Sequence, residues 1–244
     1  MHVTHLRHCA IKGTRHRDHA SVEVGASGVV GDRQFALVDP DSLAALKTVR
    51  HPTLTRVASE VAGDEVVVTL PGGATVRQRL AEGGASVRVG YWGRSIAATA
   101  EPGPVSHALA DVVGRPALLV RAAGEDRFIY GPPVAVWFTH ELAALGGRVG
   151  AELDPRRFRL AIGLSGDAPA LGSTLVMGDA ELRMVEPLVR CPIVDWNVES
   201  AAADLDVLAR LREGGRRPVF GYGCTVVRSG RVRVGDAASV GFLP

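Results

Sequence analysis

The sequence has few lysines, few cysteines and no long apolar run. Its 28 basic residues include only two lysines, Lys12 and Lys47, and 26 acidic residues leave a formal charge of +2. A charge this small argues against a nucleic-acid partner or a charged membrane surface. No stretch reaches the roughly 18 apolar residues of a membrane-spanning helix, and the first residues lack the apolar core of a secretory signal.

Cysteine is too scarce for a disulfide framework. Cys9, Cys191 and Cys224 are three in number, which is odd as well as small. Free thiols indicate a reducing compartment, so we expect a cytoplasmic protein. Nucleotide-binding signatures are missing too: Gly221-Tyr222-Gly223 lacks the third glycine of a dinucleotide loop, and there is no Walker A, iron–sulfur or flavin motif.

Short strand patterns separated by glycine and proline turns dominate the chain. Strands are predicted at residues 21–24 and 34–38, and hairpins are predicted from 65–70 with 74–77 and from 224–228 with 231–234. Helical patterns are confined to three segments: residues 105–113, which end at Gly114; a segment that Thr139 can cap and that runs to Leu145 before Gly146-Gly147; and residues 205–212.

This distribution predicts a mainly β fold with peripheral helices, of the α+β class and barrel-like in architecture. The alanine-, glycine- and proline-rich segment 97–104 is the expected joint between two regions, residues 1–96 and residues 105–244.

Histidines are concentrated at the N-terminus, around Cys9. Five of the eight lie there, namely His2, His5, His8, His16 and His19. Imidazole and thiolate groups suit zinc or copper. However, there is no second cysteine pair and no HExxH motif, and His5 and His8 would point to opposite faces of a strand. Solvated histidines, or histidines bonded to neighbouring groups, are the favoured interpretation.

Cys191 follows Arg190 after a predicted strand at residues 181–185, which Glu186-Pro187 should end. A guanidinium beside a thiol in an irregular segment favours the thiolate, which is the form that binds metals and attacks electrophiles. The alternative is that Cys191 is a small buried apolar residue.

Two arginine-containing segments suit an anionic ligand. Arg33 could hold a phosphate with two hydrogen bonds, or could pair with Asp32 in a turn. Arg156, Arg157 and Arg159 concentrate three guanidiniums in four residues. A solvated basic turn is an equal alternative for this second segment.

These segments occur in an order that resembles the MOSC family, named after the C-terminal domain of molybdenum cofactor sulfurase. Residues 30–39 (VGDRQFALVD) resemble the start of its N-terminal β-barrel region, and residues 46–52 (LKTVRHP) its following conserved stretch. Residues 157–159 are similar to an RFRPN element, Arg190-Cys191 to an RC pair, and Phe220-Gly221 with 232–236 (VRVGD) to the closing segment. The co-linear order of these motifs spans nearly the whole chain.

The resemblance implies a β-rich fold in which both regions build one cleft. In family members such as the mitochondrial amidoxime-reducing component, such a cleft holds a molybdopterin-type molybdenum cofactor. Cys191 then falls at the position that binds molybdenum or carries sulfur. Lys12, Arg33 and Arg159 fall at positions that bind the phosphate and the pterin, and Arg190 accompanies the cysteine.

Three positions depart from the family pattern. Gly13 replaces a serine, Ala161 replaces the asparagine of RFRPN, and Gly223 replaces a tyrosine. Each change removes a neutral hydrogen bond worth on the order of 1 kcal/mol. The charged contacts, which are individually stronger, are retained.

Three hypotheses follow. The first is a molybdenum-cofactor oxidoreductase that reduces a small N-oxygenated substrate with electrons from a separate reductase. The second is a molybdenum-free enzyme that uses Cys191 for sulfur transfer or as a nucleophile in a biosynthetic pathway. The third is a non-catalytic module that binds a cofactor or partner.

Overall fold

The computed structural model describes residues 1–241, and strands make up most of its regular structure. The strands are β1 (Val3–His8), β2 (Arg17–Asp18), β3 (Ser21–Gly25), β4 (Gly28–Val29), β5 (Phe35–Val38), β6 (Ala58–Ala62), β7 (Glu65–Thr69), β8 (Thr75–Arg79), β9 (Ser86–Tyr91), β10 (Arg94–Ala100), β11 (Leu118–Ala122), β12 (Val134–Phe138), β13 (Ile162–Leu164), β14 (Thr174–Met177), β15 (Ala180–Val189), β16 (Val219–Arg228), β17 (Gly230–Arg233) and β18 (Ala238–Gly241).

Helices lie at the periphery of the sheets. The α-helices are α1 (Pro104–Val113), α2 (Thr139–Val149) and α3 (Val207–Leu211), and the 3-10 helices are Thr48–Arg50, Pro52–Arg56, Pro155–Phe158, Pro192–Asp195 and Glu213–Gly215. The predicted mainly β fold with peripheral helices is confirmed. Within residues 1–241, no helix combines the length and the apolar character that crossing a bilayer requires.

The largest sheet has eight strands in the order β18-β14-β15-β16-β12-β13-β1-β2, and the structure contains a sheet that curls into a half-barrel. Three smaller sheets have the orders β5-β11-β10-β9, β17-β3-β4 and β6-β7-β8. Strand β1 pairs with β13, so the beginning of the chain is an integral part of the sheet formed by its second half.

Strand β12 is buried on both faces. Val134, Val136 and Phe138 face a core shared with β1 and β15, while Ala135 and Trp137 face a second core shared with α2 and α3. This alternation follows from the two-residue period of a strand. Since both faces are covered, the strand is apolar along its whole length.

Several local predictions are confirmed. The predicted strands at residues 21–24 and 34–38 correspond to β3 and β5. The predicted hairpin at residues 65–77 is formed by β7 and β8, which pair from Glu65 with Arg79 to Thr69 with Thr75. Helix α1 ends as predicted at Gly114, whose φ of 67° is the left-handed conformation that glycine adopts without strain.

The predicted hairpin of residues 224–228 with 231–234 is wrong. Strand β16 pairs with β12 and β15, whereas β17 pairs with β3, with Val232 opposite Val22. Between the two strands, Gly230 lies so close to Asp179 that a Cβ atom would be 2.5 Å from its carbonyl carbon. Glycine therefore lets the chain leave one sheet and enter another at this point.

Two predicted element ends are also wrong. Helix α2 continues past Gly146-Gly147 to Val149 and ends at Gly150, whose φ is 80°, because packing of the helix outweighs the low helix propensity of glycine. Thr139 does not cap it, since its hydroxyl accepts a hydrogen bond from the Gly166 amide (3.1 Å).

Strand β15 continues past Glu186-Pro187 to Val189. Its pairing with β16 shifts register on both sides of this dipeptide, so bulges accommodate the proline. Residues 97–100 belong to strand β10 and are not a linker. The division into residues 1–96 and 105–244 remains a prediction, and its last three residues lie outside the described part of the chain.

The β3–β17 pairing predicts different effects for two neighbouring valines. Val232→Ala removes methyl groups from a side chain with 0% exposure and should lower the free energy of unfolding by about 1–3 kcal/mol. Val234 is 47% exposed, so Val234→Ala should change the free energy of unfolding by less than about 0.5 kcal/mol. Urea unfolding measures both, and equal effects would contradict the pairing.

Candidate functional site

The five residues that the sequence singles out line one cleft. Lys12, Arg33, Arg159, Arg190 and Cys191 surround a cleft of about 190 Å³. They come from both halves of the chain, as the resemblance implied. Gly13, Thr48, Tyr91, Phe128, Tyr130 and Ile193 also contribute to its walls.

Lys12 lies just after β1, in a turn held against β5. Its amide donates to the Phe35 carbonyl (2.7 Å), and its Nζ donates to the Leu46 carbonyl (2.9 Å). Gly13 has a φ of 97°, and a Cβ on it would lie 3.0 Å from the Thr48 hydroxyl. The Thr48 side chain therefore occupies the space beside the glycine where the family pattern has serine.

Arg33 is fixed by a buried carboxylate. Asp32, 1% exposed, accepts hydrogen bonds from Arg33 Nε (2.9 Å) and Nη2 (2.5 Å). Burial opposes the charge of Arg33, but Asp32 outweighs burial and raises the pKa of Arg33 above its usual value. The predicted pairing of Arg33 with Asp32 is confirmed, and Arg33 also lines the cleft, whereas phosphate binding by Arg33 stays a prediction.

Arg159 differs from its two neighbouring arginines. Arg157 makes two hydrogen bonds to Asp204 (2.6 and 2.7 Å), and Arg156 pairs with Asp154 and Glu199. Within residues 1–241, Arg159 has no carboxylate partner.

The guanidinium of Arg159 instead contacts a buried thiol. Its Nη2 lies 3.5 Å from Cys9 Sγ. The backbone of Arg159 has a φ of 55°, and the residue directly follows the 3-10 helix Pro155–Phe158. Arg159 therefore keeps hydrogen-bonding capacity for a ligand in the cleft.

Cys191 lies at the rim of the cleft, where β15 ends and the 3-10 helix Pro192–Asp195 begins. Its thiol is free and the residue is exposed, so the interpretation as a small buried residue is wrong. The preceding Arg190 donates from its amide to the Pro218 carbonyl (2.8 Å) and from Nη1 to the Phe158 carbonyl (2.8 Å). These bonds fix the segment that presents the thiol.

Cations in the cleft are held at an electrostatic cost. Burial, reinforced by Arg159 and Arg33, lowers the pKa of Lys12 to about 8. Burial also lowers the pKa of Arg190 to about 10, and its Nε is buried without a hydrogen-bond partner. No carboxylate lies among the described lining residues. The cleft is therefore suited to an anion next to an accessible thiol.

Two of the departures from the family pattern are not among the residues that line the cleft. Ala161 belongs to the core around β1 and β13. Gly223 pairs with Ala135, and a Cβ on it would lie 2.6 Å from Pro132 Cγ. The substitutions at these positions are therefore linked to packing in this chain.

Sequence reasoning missed the aromatic wall of the cleft. Tyr91 donates its hydroxyl hydrogen bond to the Phe128 carbonyl (2.9 Å), and its ring centroid lies 5.7 Å from Lys12 Nζ. Burial raises the pKa of Tyr91 to about 12, so the hydroxyl remains protonated at neutral pH. Tyr91 lies in a short alternating strand, where nothing in the sequence distinguishes it from a core residue.

Family models match both halves of the chain. The MOSC N-terminal beta barrel domain matches residues 1–116, and the MOSC domain matches residues 125–239. The chain belongs to the MOSC family. A comparison of this MOSC chain with curated proteins finds no match.

Solved structures show more distant likenesses to this MOSC protein. The YUAD protein from Bacillus subtilis is 13% identical with a TM-score of 0.48, over 98% of this chain and 94% of that one. YiiM from Geobacillus stearothermophilus is 17% identical with a TM-score of 0.36, over 46% of this chain and 55% of that one. The chain thus spans about half the length of YiiM.

Lys12 should make anion binding depend on pH. As pH rises through about 8, Lys12 loses its proton, so the affinity for inorganic phosphate should fall. Lys12→Met should bind phosphate about tenfold more weakly at neutral pH and lose this alkaline decrease. Isothermal titration calorimetry between about pH 7 and about pH 9 measures both effects.

The other lysine provides a matched control. Lys47 is exposed and lies 5.1 Å from the Trp92 ring centroid, outside the cleft lining. Lys47→Met should therefore retain both the affinity and the pH dependence. An unchanged alkaline decrease in Lys12→Met would assign the titration to another group.

Proposed function

We propose that the cleft binds a molybdopterin-type molybdenum cofactor, with the Cys191 thiolate as a metal ligand. The protein would then be an oxidoreductase that reduces a small N-oxygenated substrate with electrons from a separate reductase. One observation carries the proposal: an exposed thiol lies at the rim of a cleft with five cationic residues and no carboxylate among the described lining residues.

The residues of the cleft fit such a cofactor chemically. A phosphate needs cationic donors, which Lys12, Arg33 and Arg159 supply, and a thiolate is the form of cysteine that binds a metal. Arg190 Nε is a buried donor without a partner, as expected where a ligand completes the hydrogen bonding. MOSC domains in general are associated with molybdenum cofactor.

Each cleft residue has a definable task. Asp32 holds the Arg33 guanidinium in place before a ligand arrives, and the Phe158 carbonyl does the same for Arg190. Lys12, with its pKa near 8, can hold a proton on Nζ at neutral pH and release it at little cost. Fixed donors lose little entropy on binding, which favours tight retention of an anion.

When bound, the cofactor supplies two-electron oxygen-atom transfer at an open metal position. In the overall reaction an N-hydroxylated compound takes up two electrons and two protons, loses its oxygen as water and leaves as the reduced nitrogen compound. The electrons come from the reductase, because the chain carries no iron–sulfur or flavin motif.

Metal and pterin analysis tests the proposal. Protein from a host that makes molybdenum cofactor should contain about one molybdenum and one pterin per chain. Cys191→Ser should lower the molybdenum content because it removes the thiolate that would hold the metal. Cys224→Ser is the control, since Cys224 lies in the core away from the cleft. Wild-type protein without pterin would refute the proposal.

Sulfur transfer by Cys191 is the second candidate, favoured by the exposure of its thiol. The thiolate would attack the terminal sulfur of a donor persulfide, forming Cys191 persulfide and releasing the donor as a thiol. Intact mass after incubation with a persulfide donor should then increase by one sulfur atom in wild type and Cys224→Ser, but not in Cys191→Ser. An unmodified wild-type protein would exclude this function.

A further inference from the structure

Three potential metal ligands meet beneath the cleft. Cys9 at the end of β1, His16 and Asp32 are 0%, 3% and 1% exposed. Their sulfur, ring nitrogen and carboxylate oxygen all lie within 4.8 Å of one another. Bonds of about 2.0–2.3 Å place ligand atoms roughly 3.3–3.8 Å apart around a tetrahedral ion, so a small inward movement of these side chains would complete the spacing.

His16 is the least satisfied side chain of this group. Both of its ring nitrogens are buried without a hydrogen-bond partner. Leaving a buried polar group unpaired costs about 1–3 kcal/mol, so native structures rarely do so without a ligand or a water. His16 also lines a small cavity of about 20 Å³ beside Arg159, large enough for one water molecule.

The other two ligand atoms have capacity left. Asp32 Oδ2 accepts both hydrogen bonds from Arg33, but Oδ1 receives a long one, from the Cys9 amide at 3.4 Å. Cys9 Sγ accepts from Arg159 Nη2 at 3.5 Å. A metal could therefore bind Oδ1 and Sγ while both arginine contacts remain as outer-sphere hydrogen bonds.

We propose that Cys9, His16 and Asp32 bind a divalent transition-metal ion, with Zn²⁺ as the best match to a sulfur, an imidazole and a carboxylate. Three protein ligands leave a fourth position, which a water in the neighbouring cavity can occupy. This site is separate from Cys191 and does not depend on what the cleft binds.

The local charge is compatible with a divalent ion despite the arginines. A thiolate and a carboxylate together balance the two charges of Zn²⁺, so the loaded site itself is neutral beside Arg33 and Arg159. Burial and these two arginines also lower the pKa of His16 well below its usual value. The imidazole is thus neutral, which is the form that binds metal.

A metal here would organise the cleft. Two of its ligands, Asp32 and Cys9, are the hydrogen-bond acceptors of Arg33 and Arg159. The ion would therefore fix the positions of two cleft cations from below. In sequence, only the cluster of histidines around Cys9 pointed to a metal, and Asp32 was not part of that pattern.

Zinc and cobalt binding to the chelator-treated full chain tests the proposal. We expect one Zn²⁺ per chain and, with Co²⁺, the charge-transfer absorption of a cobalt–thiolate bond. Cys9→Ser should lose that absorption and bind Zn²⁺ at least about tenfold more weakly. Cys191→Ser and Cys224→Ser should retain both, so loss of molybdenum and loss of zinc are measured separately.

A second variant covers the possibility that Cys9→Ser does not fold. His16→Gln keeps a polar side chain of similar length, and it should weaken Zn²⁺ binding while circular dichroism remains native. Absence of the cobalt–thiolate absorption in folded wild type would refute the site and leave a buried water on His16. So would equal Zn²⁺ affinity in wild type, Cys9→Ser and His16→Gln.

Discussion

The buried Asp32 carboxylate constrains the whole cleft. A charge that is 1% exposed must be paired, and Arg33 satisfies it through two guanidinium nitrogens. In the same turn, the Arg33 amide donates a hydrogen bond to the Cys9 carbonyl (2.7 Å). This bond joins the turn to the end of β1. Because of these bonds, Arg33 keeps a left-handed backbone (φ 46°) and a fixed direction into the cleft.

The pair has an electrostatic consequence for the other cations. Asp32 balances the positive charge of Arg33. Lys12 and Arg190, in contrast, are buried near like charges and have lowered pKa values. The pKa of Lys12 is about 8 in the fold against 10.5 in the unfolded chain. Its charge therefore destabilises the fold below pH 8, and this penalty disappears as pH rises towards the unfolded value. A bound anion would remove the same penalty, as is common at functional sites.

Local sequence signals predicted the elements that depend on local interactions. The β7–β8 hairpin has a glycine turn between two adjacent strands, and α1 is followed by a glycine. The errors occur where long-range packing decides. The partner of β17 is β3, some 200 residues away in sequence, because Val232 and Val22 complete one core. No local pattern contains that information.

The site was predictable to the extent that residue type and motif order determine it. Lys12, Arg33, Arg159, Arg190 and Cys191 were identified from charge, thiol chemistry and family resemblance. Tyr91 and Thr48 were not, because they belong to the cleft only through the fold. Likewise, three arginines within four residues look alike in sequence, and only the structure separates Arg159 from Arg156 and Arg157, which acidic neighbours neutralise.

The two cysteines near the cleft differ in burial and therefore in reactivity. Cys191 is exposed and can reach a ligand or a sulfur donor. Burial raises the pKa of Cys9, and Arg159 opposes this effect. A buried thiol of this kind becomes a thiolate only when a positive charge is bound next to it. Of the two arginines beside Cys9, Arg33 is paired with Asp32, and Arg159 contacts the thiol but does not outweigh its burial. The surroundings of Cys9 therefore suit an additional cation, whereas the cleft suits an anion.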